Sequence, residues 1–199
     1  MKKVLVASNN LGKIREIGGI LAELGIEVVP QKALGIVDVE ETGLSFIENA
    51  LIKARHASAV SGLAAIADDS GLEVDALLGR PGIHSARFAG PDASDAENNV
   101  KLVKCLQETG LSTFTARFRC VMVYMRHHED PSPVIGQGVW SGEIILEPRG
   151  QDGFGYDPYF WLPDLGVTAA EISHEEKNRR SHRGVALRSL LSGLRLING

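Results

Sequence analysis

The chain has 199 residues, 44% of them apolar and 23% charged, the composition of a globular protein rather than a disordered or fibrous one. At this length folding buries roughly 70% of the surface that the unfolded chain exposes, so a core forms without disulfides or structural metals. The net charge of −4 argues against a surface built to attract polynucleotides or other polyanions.

That charge is segregated along the chain. From Lys177 to the end there are six Lys or Arg and no acid, so residues 1–176 carry 15 bases against 25 acids. Cys105 and Cys120 have no metal-ligand spacing, which fits a reducing cytoplasm. The apolar run at residues 4–7 is too short for a signal-peptide core, and no later run is long enough to span a bilayer, so no membrane association is expected.

In chain order, residues 4–7 predict a buried strand. Ile14, Ile17, Leu21 and Leu24 share one face of a helix over 11–24. A short strand at 28–29 ends at Pro30. Residues 45–60 predict a helix with Phe46, Ala50, Ala54 and Ala57 along one stripe, opened by a capping-box pair, Ser45 and Glu48. Residues 64–67 predict a strand ending at Asp68-Asp69-Ser70-Gly71, followed by a further strand at 72–74. A long loop over 79–92 precedes a helix over 93–108. Residues 114–125 and 134–145 are β-rich around a polar turn and predict a long antiparallel pair. A glycine-rich loop at 150–158 and an amphipathic helix at 183–194 follow. Early alternation of strands and helices with antiparallel pairing in the middle predicts an α/β fold with a mixed sheet, in one domain of 1–199 without a linker.

Five constellations carry chemistry. Ser8-Asn9-Asn10-Leu11-Gly12-Lys13 lies where a strand gives way to a helix, where free amides and the positive helix end favour an anion; an ordinary capped helix with a solvated lysine fits equally well. Glu40-Glu41-Thr42-Gly43 precedes the helix on which Asn49 and Lys53, four apart, share a face; the lysine either reaches into a cleft or, as most such lysines do, stays solvated. Asp68 and Asp69 are adjacent carboxylates at a strand end, a pair that calls for a cation such as Mg²⁺; the alternative is an exposed Asx turn at 69–71. Gly153-Phe154-Gly155-Tyr156-Asp157-Pro158 sets two aromatics between glycines and predicts a ring-stacking wall or a plain turn. Lys177 and Ser181-His182-Arg183-Gly184 form a donor cluster or a solvated basic helix. His127, His128 and His174 lack ligand spacing and are expected at the surface.

Together with Pro81-Gly82-Ile83 and Ser85-Ala86-Arg87, these motifs resemble the inosine triphosphate pyrophosphatase family over essentially the whole chain. The resemblance implies an elongated two-lobed α/β fold around a long mixed sheet, an active site in the cleft between lobes, and a homodimer. It also implies Mg²⁺-dependent hydrolysis of ITP, dITP or XTP to the monophosphate and pyrophosphate. Carried onto matching positions, Ser8, Asn9, Asn10, Leu11, Gly12 and Lys13 would hold the phosphates with Lys53. Asp69 would be general base and metal ligand, with Glu40 or Glu41 as a second ligand, and Ser70 would touch substrate. Phe154, Gly155, Tyr156, Asp157, Lys177, His182 and Arg183 would surround the base. A pyrimidine-nucleotide pyrophosphatase, a non-hydrolysing nucleotide sensor and a nucleic-acid-binding module are the alternatives; the intact carboxylate pair opposes the second and the acidic first 176 residues the third.

Overall fold

The computed structural model describes residues 2–8, 14, 17, 18, 21, 22 and 25–198. The strands β1 (Lys2–Val6), β2 (Ile26–Pro30), β3 (Ala64–Val74), β4 (Thr115–Met125), β5 (Val134–Ile144), β6 (Phe160–Leu162) and β7 (Val167–Thr168) form one sheet in the order β2-β1-β3-β4-β5-β6-β7. The helices are α1 (Phe46–Ser61), α2 (Asp95–Gln107), α3 (His174–Arg180) and α4 (His182–Asn198), with helical residues also between β1 and β2.

β1 runs parallel to both neighbours, with Val4 opposite Val28 and Leu5 opposite Ala65. Parallel neighbours need crossover connections, and α1 lies in the one that leads to β3. The β5–β6 and β6–β7 pairs are antiparallel. The Ile144 N–H donates to the Phe114 carbonyl at 2.8 Å, which sets the last residue of β5 beside the start of β4, the antiparallel sense expected from the sequence. The sheet is therefore mixed. Of the helix expected over 11–24, Ile14, Ile17 and Leu21 are helical, with Ile17 and Leu21 buried; Leu24 lies outside the described residues.

One expectation is corrected. The chain does not turn at Asp68-Asp69-Ser70-Gly71: β3 is one strand of 11 residues that absorbs both predicted strands, and Asp68 and Asp69 are buried within it. The glycine serves close approach rather than a turn. A Cβ on Gly71 would come within 2.2 Å of the Gly82 carbonyl oxygen and 2.6 Å of Ser85 Oγ. Ser85 Oγ also accepts the Leu72 N–H at 2.8 Å, so the 3₁₀ turn at Gly82–Arg87, inside the expected loop, is tied to the strand.

Two compact units divide the chain: residues 1–69, 120–138 and 185–199 form the first, and 70–119 and 139–184 the second. The first unit has a core of Val4, Val6 and Ile66 with Cys120 and Met122, covered by Ala186, Leu187, Leu190, Leu191 and Leu194 of α4. Each fully buried leucine there is worth about 1.5–3 kcal/mol. The second unit packs Leu102 and Leu106 of α2 with Phe118, Trp140 and Phe160, whose rings lie 4.6 Å (Phe118 to Phe160) and 5.3 Å (Trp140 to Phe160) apart.

Candidate active site

In the first unit, α1 begins where the sequence places its cap. Ser45 Oγ accepts the Glu48 N–H at 3.3 Å, and the Glu48 carboxylate takes the Leu44 N–H at 3.0 Å and the Ser45 hydroxyl at 2.6 Å. Ala50, Ala54 and Ala57 are buried along the predicted stripe. The adjacent face then carries Asn49 and Lys53 to the same carboxylate. Asn49 donates from Nδ2 to Asp69 Oδ2 at 3.2 Å, and Lys53 Nζ lies 3.5 Å from Asp69 Oδ1.

Lys53 is shared. Its ammonium also meets Glu41 Oε1 at 2.5 Å, and that contact separates the two adjacent acids, since Glu41 is half-buried on the lysine while Glu40 is exposed. Burial pushes the Asp69 carboxyl above the usual aspartate range; Lys53 and the Asn49 bond oppose this, while the Glu41 and Asp68 charges add to it. For Lys53, burial favours the neutral amine, but Asp69, Asp68 and Glu41 together outweigh it and hold the ammonium above its ordinary value. Three carboxylates thus act on one cation. Among the described residues no three His, Cys, Asp or Glu side chains converge as a ready metal site. Mg²⁺ does not need that, since one or two carboxylates suffice when substrate phosphates and water complete the shell. Glu41 and Asp69, hard oxygen donors reaching one point, suit it.

Ser8 is half-buried at the end of β1, its N–H on the Val6 carbonyl at 3.0 Å, and Ser70 is half-buried within β3. The remaining phosphate-loop candidates, Asn9, Asn10, Leu11, Gly12 and Lys13, lie outside the described residues.

In the second unit, the 150–158 loop splits its two aromatics. Phe154 is 47% exposed, with Arg183 Cζ 4.7 Å and Lys177 Nζ 5.6 Å from its ring centroid. Tyr156 corrects the expectation of a two-ring wall. Its ring is buried in the core, its hydroxyl donates to the Ser85 carbonyl at 2.7 Å, and burial raises its pKa. The glycine between them lets the chain reverse sides, with φ at 63°.

Asp157 is buried and holds the loop closed, accepting the Phe154 N–H at 2.9 Å and pairing with Lys177 at 2.5 Å. Gly153 leaves room for this pair, because a Cβ there would come 2.3 Å from Asp157 Oδ2 and 2.8 Å from Lys177 Nζ. Lys177 stands on α3, a short helix capped by Ser173. His182 is buried and stacked on Phe118, centroids 4.8 Å apart and planes 13° from parallel. Among the described residues the buried Arg183 Nε has no hydrogen-bond partner. The donor cluster therefore exists, but one donor is already paired and another is packed in the aromatic core. His127, His128 and His174 are exposed, as expected.

The sequence matches the Ham1 family over residues 4–193. The chain belongs to the Ham1 family. Curated relatives include a dITP/XTP pyrophosphatase of Thioalkalivibrio sulfidiphilus (strain HL-EbGR7), 59% identical over 96% of this chain and 98% of that one. Another of the same name from Escherichia coli (strain K12) is 53% identical over 98% and 99% of the two chains. Among solved structures, a HAM1 protein from Coxiella burnetii superposes with a TM-score of 0.94 at 46% identity, covering 100% of both chains. A nucleoside-triphosphatase / dITP/XTP pyrophosphatase from Mycobacterium abscessus ATCC 19977 / DSM 44196 gives 0.77 at 43% identity, over 95% of this chain and 98% of that one. The mixed sheet is thus the Ham1 sheet. Asn49, which the sequence places beside Lys53 without a role, proves to be the Asp69 partner. Asp95 and Asn99, which hold Gly155, carry no local signal at all.

Proposed function

We propose that this Ham1 chain hydrolyses non-standard purine nucleoside triphosphates, ITP, dITP and XTP, to the monophosphate and pyrophosphate, removing them from the pool that supplies DNA and RNA synthesis. The observation that carries the proposal is the buried Asp69, held from two sides by Lys53 and Asn49 and accompanied by Glu41. It is supported by the names of relatives that match nearly end to end.

Ser8, Asn9, Asn10, Leu11, Gly12 and Lys13 hold the phosphates, with Lys53 adding a charge whose ammonium form its acidic neighbours enforce. Asp69 and Glu41 would hold Mg²⁺, which would supply charge neutralisation for the phosphates and a more acidic water. Asp69 orients the attacking water and accepts its proton. Water adds at the α-phosphorus, and pyrophosphate leaves with the electron pair of the bridging bond.

On the base side, Phe154 offers an open ring face. Lys177, His182 and Arg183 supply donors that suit the 6-carbonyl of hypoxanthine or xanthine and are left unsatisfied by the 6-amino group of adenine. Sites built on such bonds discriminate by about 10⁴ or more. Gly155 and Asp157 contribute backbone and a fixed counter-charge, and Ser70 touches substrate. The enzyme acts in the cytoplasm as a homodimer. Among the described residues no helix is long and apolar enough to cross a membrane.

The test is a panel of nucleoside triphosphates with Mg²⁺, with pyrophosphate and orthophosphate measured separately. Pyrophosphate from ITP, dITP and XTP but hardly from ATP is expected; orthophosphate, or binding without turnover, would overturn the proposal. Asp69→Asn should bind ITP and fail to hydrolyse it. Sedimentation gives the oligomeric state.

A further inference from the structure

Asn49 is wholly buried in the first turn of α1, and both ends of its amide are engaged. Oδ1 accepts the Gly43 N–H at 2.8 Å and Nδ2 donates to Asp69 Oδ2 at 3.2 Å. The orientation is determined by chemistry. A backbone N–H can only donate, so the carbonyl end must face Gly43 and the NH₂ end must face Asp69. Gly43 makes this fit possible, because a Cβ there would lie 2.7 Å from Asn49 Oδ1 and 2.5 Å from Glu48 Cβ.

Gly43 is two residues beyond Glu41, and Glu41 and Asp69 are the two acids that meet Lys53. One amide therefore ties the Glu41 segment to the Asp69 carboxylate. With Oδ2 held by Asn49, the Asp69 carboxylate plane is fixed and Oδ1 is left on the Lys53 side. We infer that Asn49 is a positioning residue, setting the rotation of the Asp69 carboxylate and its separation from Glu41 for a divalent cation and the attacking water. The inference rests on the proposed role of Asp69. Partners that orient metal-binding carboxylates typically account for 10- to 100-fold in metal affinity or activity, and misplacement of a reacting group by about 1 Å costs about 10²-fold.

Two near-isosteric variants separate positioning from scaffolding. Asn49→Asp keeps an acceptor for Gly43 and replaces the donor facing Asp69 by a second carboxylate oxygen. Asn49→Leu removes both bonds at similar volume. The measurements are kcat and KM for ITP with Mg²⁺, the thermal melt, and Mn²⁺ binding to the full chain without nucleotide. For Asn49→Asp the expected result is a kcat lower by about 10²-fold with KM within about threefold and the fold retained. For Asn49→Leu, Mn²⁺ affinity should fall by about 10-fold or more. A folded variant with kcat and Mn²⁺ affinity both within about threefold of the parent overturns the inference. So does failure of both variants to fold, which would make Asn49 part of the scaffold. If the parent does not hydrolyse ITP, the proposed function fails on its own, and the Mn²⁺ measurement still decides whether Asn49 shapes a cation site.

Discussion

Gly155 donates its N–H to the Asp95 carboxylate at 2.7 Å, joining residues 60 positions apart. Asn99, one turn further along α2, donates to the Gly155 carbonyl at 2.8 Å. Both polar backbone groups of one glycine are thus held from a single helix face, beside a phenylalanine that is half open to solvent. Asp95→Ala should cost about 0.5–1.5 kcal/mol, lower the melting temperature by about 2–4 °C per kcal/mol, and raise KM for ITP more than it lowers kcat. Calorimetry and steady-state kinetics on the same preparation check both.

Arg183 lies over the Phe154 ring, while Lys177 is already paired. Arg183→Ala should therefore narrow the ITP-to-ATP ratio of kcat/KM, and an unchanged ratio would remove Arg183 from base recognition. The variant is expected to fold, because among the described residues Arg183 makes no ion pair that truncation would remove.

Lys177 and Asp157 are both largely buried and joined at 2.5 Å. Lys177→Met strands a buried carboxylate and should cost about 3 kcal/mol, whereas the double variant Lys177→Met with Asp157→Asn should recover part of that loss. Urea unfolding of the two singles and the double closes the cycle.

Asp130 gives a pH signature away from the candidate site. Its buried carboxylate accepts from the Arg126 guanidinium, the Arg126 N–H at 3.0 Å and the Ser132 N–H at 3.0 Å, which hold its pKa well below the usual range. A depressed carboxyl stabilises the fold fully above its unfolded value of about 4 and loses that contribution as acid is added. Asp130→Asn should therefore be less stable than the parent at neutral pH, and the gap should close as the pH falls from about 4 toward the folded-state pKa. Urea midpoints at several pH values give the comparison.

Gly136 lets α4 approach β5 closely. A Cβ there would sit 2.3 Å from the Ala186 carbonyl oxygen and 2.5 Å from the Leu190 N. Gly136→Ala should destabilise by about 1–3 kcal/mol through overpacking, with kcat for ITP unchanged once the fraction folded is accounted for.

Local signals were legible wherever a short-range rule governs. The Ser45 cap, the alanine stripe of α1, the shared face of Asn49 and Lys53 and the β4–β5 pair all follow from spacing. Asp68-Asp69-Ser70-Gly71 misled because Ser and Gly after two acids favour a turn in isolation, whereas here Gly71 admits the Gly82 carbonyl and Ser85 receives the next amide. The inward placement of Tyr156 was not legible for a related reason: flanking glycines free both neighbours equally, and only the distant Ser85 carbonyl and the second-unit core choose which ring goes inside. The difference between Glu40 and Glu41 likewise depends on a distant group, since Glu41 meets an ammonium 12 residues away.

Neither compact unit is a continuous stretch of sequence: three segments build one and two build the other, and the last 15 residues return to the unit that the first 69 begin. No single cut releases a half that keeps its core, because α4 supplies five of the apolar side chains that close the first unit. A prematurely stopped message lacking α4 should therefore yield no partial enzyme, only an unfinished chain exposed to proteolysis.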